Sequence, residues 1–323
     1  MQRTSAILLT LIVAGAAAIL FASLCGSSGC FFPTQADDLL WQLRLPRALS
    51  AFAVGGLLAL AGALIQLLLR NPLADPYVLG VSGGAATGAM LFSWLAPLSL
   101  AVYAMQVGAL AGALLATALL FGLARRALMG LTPALSASPS GVRLILTGVM
   151  ISAGFGALMT LLLSLSPEGQ LRGMVFWLMG DLDTGALLVP AWLVLAASTV
   201  WACFNAANLN VLAHGDSTAQ LLGIAVPRLR AAALLVASLA TASAVAMAGA
   251  IGFVGLVVPH ALRLLFGNDQ RLLLPASVLA GGAALALADL LARSIAAPVQ
   301  LPVGVITALV GVPVFLALLA RSR

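Results

Sequence analysis

Few residues in this chain have side chains that could carry out a reaction. None of its 323 residues is lysine, so all 15 basic side chains are arginine; nine residues are acidic, two are histidine and three are cysteine. A phosphate-cradling P-loop requires Gly-Lys-Ser/Thr and a Schiff base requires an amine, so the missing lysine excludes both. If nucleotide is used, another chain must bind it. His214 and His260 lie far apart, and Cys25, Cys30 and Cys203 fit no zinc spacing. No Ser/His/Asp set and no pair of carboxylates gathers at one level, which argues against an enzyme. Asp289 and Arg293 stand four apart near the end of an apolar run, where a structural helix-end ion pair is the plain reading.

Four segments rise above this background. In 208–230, Asp216 or Ser217 can cap a short helix that Gly223 ends, with Ala219, Leu222 and Leu221 on its apolar side. Such a helix suits either docking into another protein's groove or lying at an interface. Leu43-Arg44-Leu45-Pro46-Arg47 holds two arginines that a partner carboxylate, lipid headgroups or local capping would satisfy. Arg70-Asn71-Pro72-Leu73-Ala74-Asp75-Pro76 has two prolines that prevent continuous helix, giving a rigid loop or part of a gate. Gln170 to Gly180 reads as an amphipathic segment in which Trp177 suits a membrane interface.

The elements that position these segments follow from where charge is missing. Charged residues are 7% of the chain, and 48–69, 77–124, 144–167, 184–215, 231–262, 272–288 and 294–320 carry none. About 20 apolar residues cross the roughly 30 Å hydrocarbon core as a helix. Only helices or closed barrels satisfy their backbone there. The expected fold is all-α, a polytopic membrane protein with helices near 6–24, 48–69, 77–95, 101–123, 143–165, 187–205, 231–249, 250–266, 272–291 and 303–320. Gly249 and Gly252 offer the reversal that divides the long 231–262 run. No loop reaches the roughly 50 residues of a soluble domain, so 1–323 reads as one transmembrane domain.

Placing the N-terminus in the cytoplasm puts Arg3, Arg70, Arg125, Arg126, Arg143, Arg228, Arg230, Arg263, Arg271, Arg321 and Arg323 inside, and Arg44, Arg47, Arg172 and Arg293 outside. This bias toward the inside, with both termini cytoplasmic, accounts for the net charge of +6 without a nucleic-acid partner. The first helix reads as uncleaved, because Leu24 rather than a small residue precedes Cys25. Cys25 and Cys30 flank Gly26-Ser27-Ser28-Gly29 and form either a disulfide in an oxidising compartment or two incidental thiols. Gly108 and Gly112 allow close helix approach, within the subunit or between subunits.

Together these segments resemble the permease subunits of bacterial binding-protein-dependent ABC importers for iron-siderophores, haem and vitamin B12. The likeness rests on Arg44-Leu45-Pro46-Arg47, Gly62 to Gln66, Asn71 to Pro76, Leu79 to Ala85, Trp177-Leu178-Met179-Gly180, Gly249 to His260 and Leu301 to Thr307. It implies a homodimer of ten-helix subunits in the bacterial inner membrane, with two cytoplasmic ATPase subunits, which bind ATP and Mg, and a periplasmic substrate-binding protein. No cofactor or metal is expected on this chain. Within 208–230 the resemblance assigns Gly215, Asp216, Ser217, Thr218, Ala219, Gln220, Leu221, Leu222 and Gly223 to ATPase coupling. It assigns Arg44, Arg47 and Arg293 to binding-protein docking. Asn71, Leu73 and Arg172 become candidates for the path or gate. The Gln170–Gly180 segment is most similar to haem permeases, with Arg172 placed to meet propionates; vitamin B12 permeases carry a similar run.

Overall fold

The computed structural model describes residues 2–27, 29–30, 40–97, 100–128, 140–182 and 187–321. Arg323 and the side chains of Arg3, Arg125, Arg126, Arg143 and Arg321 lie outside what is described. Among the described residues the fold is all-α apart from one two-residue antiparallel pairing, β1 (Cys25–Gly26) with β2 (Gly29–Cys30), closed by a Cys25–Cys30 disulfide. The helices are α1 (Gln2–Leu24), α2 (Leu45–Leu69), α3 (Val81–Leu95), α4 (Ala101–Leu128), α5 (Ser140–Leu165), α6 (Glu168–Leu178), α7 (Leu188–Ala213), α8 (Asp216–Leu221), α9 (Val226–Ala248), α10 (Val254–Phe266), α11 (Gln270–Ser294) and α12 (Val303–Arg321). Among the described residues, seven are long and apolar enough to cross a membrane, and Val254–Phe266 and Val303–Leu318 are shorter apolar helices.

Helix α2 is hydrophobic all round, the signature of a helix with no solvent or lipid face. In its most apolar window 94% of residues are buried, against 17% in α5, so α2 is the central post and α5 a peripheral helix. Glycine permits this centrality. Gly55 lies on the backbone of Gly281 in α11, and Gly62 on that of Gly255 in α10, where an added Cβ would overlap the facing carbonyl. The Gly108 and Gly112 spacing has the same use inside the subunit: these residues seat against Gly88 and Gly84 of α3. Small residues bring helix backbones into van der Waals contact, which is what drives association where lipid removes the hydrophobic incentive.

One expected helix is interrupted, and one expected division is present with a shifted boundary. The expected 77–95 helix is instead a 3-10 turn (Pro76–Leu79), a left-handed Gly80 (φ 82°) and then α3. The division expected at Gly249 and Gly252 is present and runs from Gly249 (φ 67°) to Phe253 (φ 70°), so α10 starts at Val254 rather than at 250. The two breaks complete each other. The Tyr77 hydroxyl donates to the Ile251 carbonyl and accepts from the Ile251 N–H, both at 2.9 Å. Irregular backbone at membrane depth is tolerated only when buried in protein with its polar groups satisfied, and the phenol pairs both backbone groups of Ile251. The end of α6 and the start of α12 close over the same point, with Gly304 N–H donating to the Gly180 carbonyl at 3.3 Å.

Candidate functional site

Two polar clusters stand at opposite ends of α2. The first is built around α8. Gly215 precedes this helix with φ 134°, and Asp216 is its first residue rather than a cap. The Asp216 carboxylate instead bridges two arginines, accepting from Arg70 Nη2 (2.6 Å) and Arg230 Nη1 (2.5 Å). Arg70 ends α2 in the left-handed conformation, and Arg230 also donates to the Leu68 carbonyl (3.0 Å). The helix closes by a Schellman pattern: Gly223 N–H bonds to Gln220 and Ile224 N–H to Ala219, with Gly223 at φ 78°. Ala219 packs inward, while Leu221 and Leu222 are 89% and 65% exposed. The apolar side thus divides, one residue gripping the bundle and two leucines standing out.

Neighbouring contacts make this end rigid. Asn210, near the end of α7, donates to Asp269 (2.7 Å) and accepts from the Gln270 N–H (2.7 Å), clamping α7 to the start of α11. The Asn210 hydrogen bond holds the Asp269 carboxyl below its ordinary range, helped by the Arg271 backbone N–H and guanidinium, against a smaller opposing effect of burial. Buried Gln66 donates to the Leu256 carbonyl (3.0 Å) and accepts from Arg263 Nη1 (3.0 Å), tying α2 to α10.

At the other end a fully buried carboxylate, Asp289, organises three elements. Arg47 Nε donates to both its oxygens (3.0 and 3.3 Å), Arg293 Nε donates to Oδ2 (2.9 Å), and Arg47 reaches Gln300 (3.2 Å) and Asp181 (3.4 Å). The last carbonyls of α1 accept from the same cluster: Ala22 from Arg293 (3.0 Å) and Leu24 from Arg44 (3.1 Å). A helix C-terminus leaves carbonyls unpaired and carries partial negative charge, so guanidinium groups suit it. Pro46 in the first turn of α2 fixes the entry angle that points Arg47 inward.

The Asp289–Arg293 pair was legible from spacing, whereas the convergence of Arg47 on it, across 242 residues, was not. A charge balance would have pointed there, since Asp289 is the only acid in an otherwise uncharged stretch. The residues assigned to docking are thus partly engaged within the subunit, and Arg293 is nearly buried. Asn71 and Leu73 lie in the turn after α2, where Asn71 Oδ1 accepts from the Leu73 N–H (3.0 Å) as a local turn brace. Arg172 is not brought near them: it stands on α6 over the Phe176 ring at 5.7 Å. Gln66, Tyr77 and Asn210 were not singled out for their polar roles.

A profile of the FecCD transport family matches residues 4–321. The vitamin B12 import system permease protein BtuC of Salmonella paratyphi A is 41% identical over 296 residues, covering 91% of this chain and 87% of that protein. The ABC transporter permease protein YvrB of Bacillus subtilis, itself uncharacterized, is 41% identical over 306 residues, covering 92% and 83%. A solved ABC transporter chain in an inward-facing conformation, assigned to the metal-chelate type, superposes with a TM-score of 0.86 at 30% identity, covering 98% and 99%. PsaBC of Streptococcus pneumoniae, at 19% identity and a TM-score of 0.54, shares the fold alone. With its buried central helix, interrupted spans and family match over almost its whole length, this integral membrane protein belongs to the FecCD transport family.

Proposed function

We propose that the chain is the membrane-spanning permease of an ATP-driven, binding-protein-dependent importer in a bacterial inner membrane, carrying cobalamin or a related metal chelate. The observation that carries this reading is α8: a six-residue helix that offers Leu221 and Leu222 while Asp216 fastens it to the end of α2 and the start of α9. Two such permeases enclose the path, and an ATPase subunit receives each α8. Ten crossings, both termini in the cytoplasm and 208–230 as the coupling segment belong to the same proposal. ATP and Mg stay on the partners, consistent with a chain that lacks lysine.

The mechanism follows from the attachments of α8. When the ATPase subunits close on nucleotide they displace the two leucines; the Asp216 bridge passes that displacement to α2 and α9 together. Helix α2 contacts α10 and α11 through glycine, so sliding there meets no side-chain interlock. Substrate-binding protein and nucleotide bias the equilibrium only in so far as each prefers one conformation. At the Arg47 end, three arginines face two carboxylates, Asp289 and Asp181, leaving net positive charge for an acidic binding protein. The incoming carboxylate competes with the half-exposed Asp181 for Arg47.

For cargo, relatives described as vitamin B12 permeases support cobalamin over the haem suggested by the Gln170–Gly180 segment. Haem rests on Arg172, whose guanidinium lies over Phe176. Reconstitution with the ATPase and binding protein, followed by uptake of cobalamin, haem and a ferric siderophore, tests the reading. ATP-dependent cobalamin or chelate uptake is expected. Accumulation by the chain alone on an ion gradient overturns it.

A further inference from the structure

Between α7 and α9, beside the connector that follows α8, lies a cavity of about 490 Å³. Trp201, Asn205 and Asn208 line one wall, Arg228 the other, and Leu222 and Ile224 the floor. Its wall chemistry is mixed, and no carboxylate lines it among the described residues. Arg228 and Arg230 stand two apart on α9 yet have different fates. Arg230 is used by Asp216 and the Leu68 carbonyl, whereas Arg228 is exposed and makes no hydrogen bond or ion pair among the described residues. Asn208 is likewise without a partner there, and Asn205 uses only its amide N–H, on the Trp201 carbonyl. The cavity therefore presents an uncompensated cation, two amide groups and an indole.

Its position says what would fill it. Helix α7 carries no amide or charged side chain from Leu188 to Phe204, about 17 residues or roughly 25 Å of helix, and then places Asn205, Asn208 and Asn210 among apolar residues before Asp216. A cavity at these first amides suits the boundary between hydrocarbon and headgroups. Trp201 sits about one turn inside that level, the usual depth of an interfacial tryptophan. The adjoining stripe of α7 is bare and apolar: Val189, Leu193, Val200 and Phe204 share a face, and Phe204 is 83% exposed. A ligand here needs an anionic head for Arg228, hydrogen-bonding groups for the asparagines and a long apolar tail for α7. We infer that this cavity binds a single anionic phospholipid, its phosphate on Arg228, its polar head between Asn205 and Asn208, and its acyl chains along α7. Basic pockets between membrane helices hold such headgroups by the same chemistry. Because Leu222 and Ile224 form the floor, an occupied site braces the connector behind α8. That consequence for coupling rests on the function proposed above; lipid binding itself does not.

The test is native mass spectrometry of the protein in mild detergent, titrated with phosphatidylglycerol or zwitterionic phosphatidylcholine. Phosphatidylglycerol should bind at one preferred site, and Arg228→Gln should weaken it about fivefold while leaving phosphatidylcholine unchanged. Arg271→Gln removes an exposed arginine elsewhere and should have no effect. Equal losses in both variants, or none in Arg228→Gln, overturn the proposal, as does displacement of the lipid by millimolar inorganic phosphate. If Arg228→Gln binds lipid normally but loses the ATPase subunit, the cavity is a protein-docking groove instead. A second readout does not depend on changing Arg228: acyl-brominated phosphatidylglycerol should quench fluorescence less in Trp201→Phe than in Trp192→Phe, whose indole stacks inside on Phe52. Equal quenching in the two also overturns the proposal. Failure of uptake with lipid binding intact would count against the transport reading alone.

Discussion

Asp289 is a fully buried charge at the meeting of several elements. A carboxylate with no exposure is stable only while Arg47 and Arg293 neutralise it, and each arginine in turn needs it. Asp289→Ala should lower stability by about 3–5 kcal/mol, because two guanidinium groups lose their buried counterion; thermal unfolding in detergent measures this. By contrast, Asp216 with Arg70 and Arg230 is partly exposed, where an ion pair is worth about 0–1 kcal/mol, so it orients α8 more than it stabilises the fold. Asp269 gives a pH signature. Its folded pKa lies below the ordinary carboxylate value of about 3.9, so its contribution is complete above that value and is lost as pH falls through the lower folded one. In Asn210→Ala the main cause of the shift is gone, and the acid limb of a stability–pH profile should flatten. Little of this was legible in sequence: the i,i+4 pair could be read, but Arg47 meeting Asp289 and Asn210 meeting Asp269 depend on how distant helices cross.

At the scale of elements, the uncharged runs located the helices well, because a span must exclude charge over its whole length. Gly249 and Gly252 marked the division of the 231–262 run, but nothing marked the interruption at Gly80. Gly80 looks like any residue in an apolar run, and the Tyr77 hydroxyl that ties its turn to Ile251 in the other break is a contact between distant segments. The glycines were visible, but their partners were not. Gly62→Val should abolish assembly of the α2–α10 contact, since even one added carbon meets the Gly255 backbone; the expected readout is loss of monodisperse protein on size exclusion. Gly154, with nothing within 4 Å of an added Cβ, should accept alanine without that loss. The short helix α8 was foreseen with the wrong cap: Asp216 forgoes the helix end in favour of two arginines. Replacing both Leu221 and Leu222 by serine should spare the fold, because both are exposed, and release a co-purifying ATPase subunit in a pull-down.

Seen whole, the molecule is a post, α2, with other helices leaning on it and a polar knot at each end. The two knots differ in kind. One is sealed around a buried acid, while the other is open and carries the protruding leucines. The hairpin bonded through Cys25 and Cys30 stands beside the sealed knot, where Gly26 lies against Arg44 and Arg293. Thiols facing the cytosol are kept reduced, whereas those facing an oxidising compartment cross-link. The hairpin therefore works as a built-in compass for the fold's direction in the bilayer. Maleimide applied to unfolded, unreduced protein should label Cys203 alone, and all three cysteines only after a reductant. Three labels before reduction would reverse the proposed orientation, bringing the leucines of α8 to the outside and leaving the proposed cytosolic engine beyond their reach.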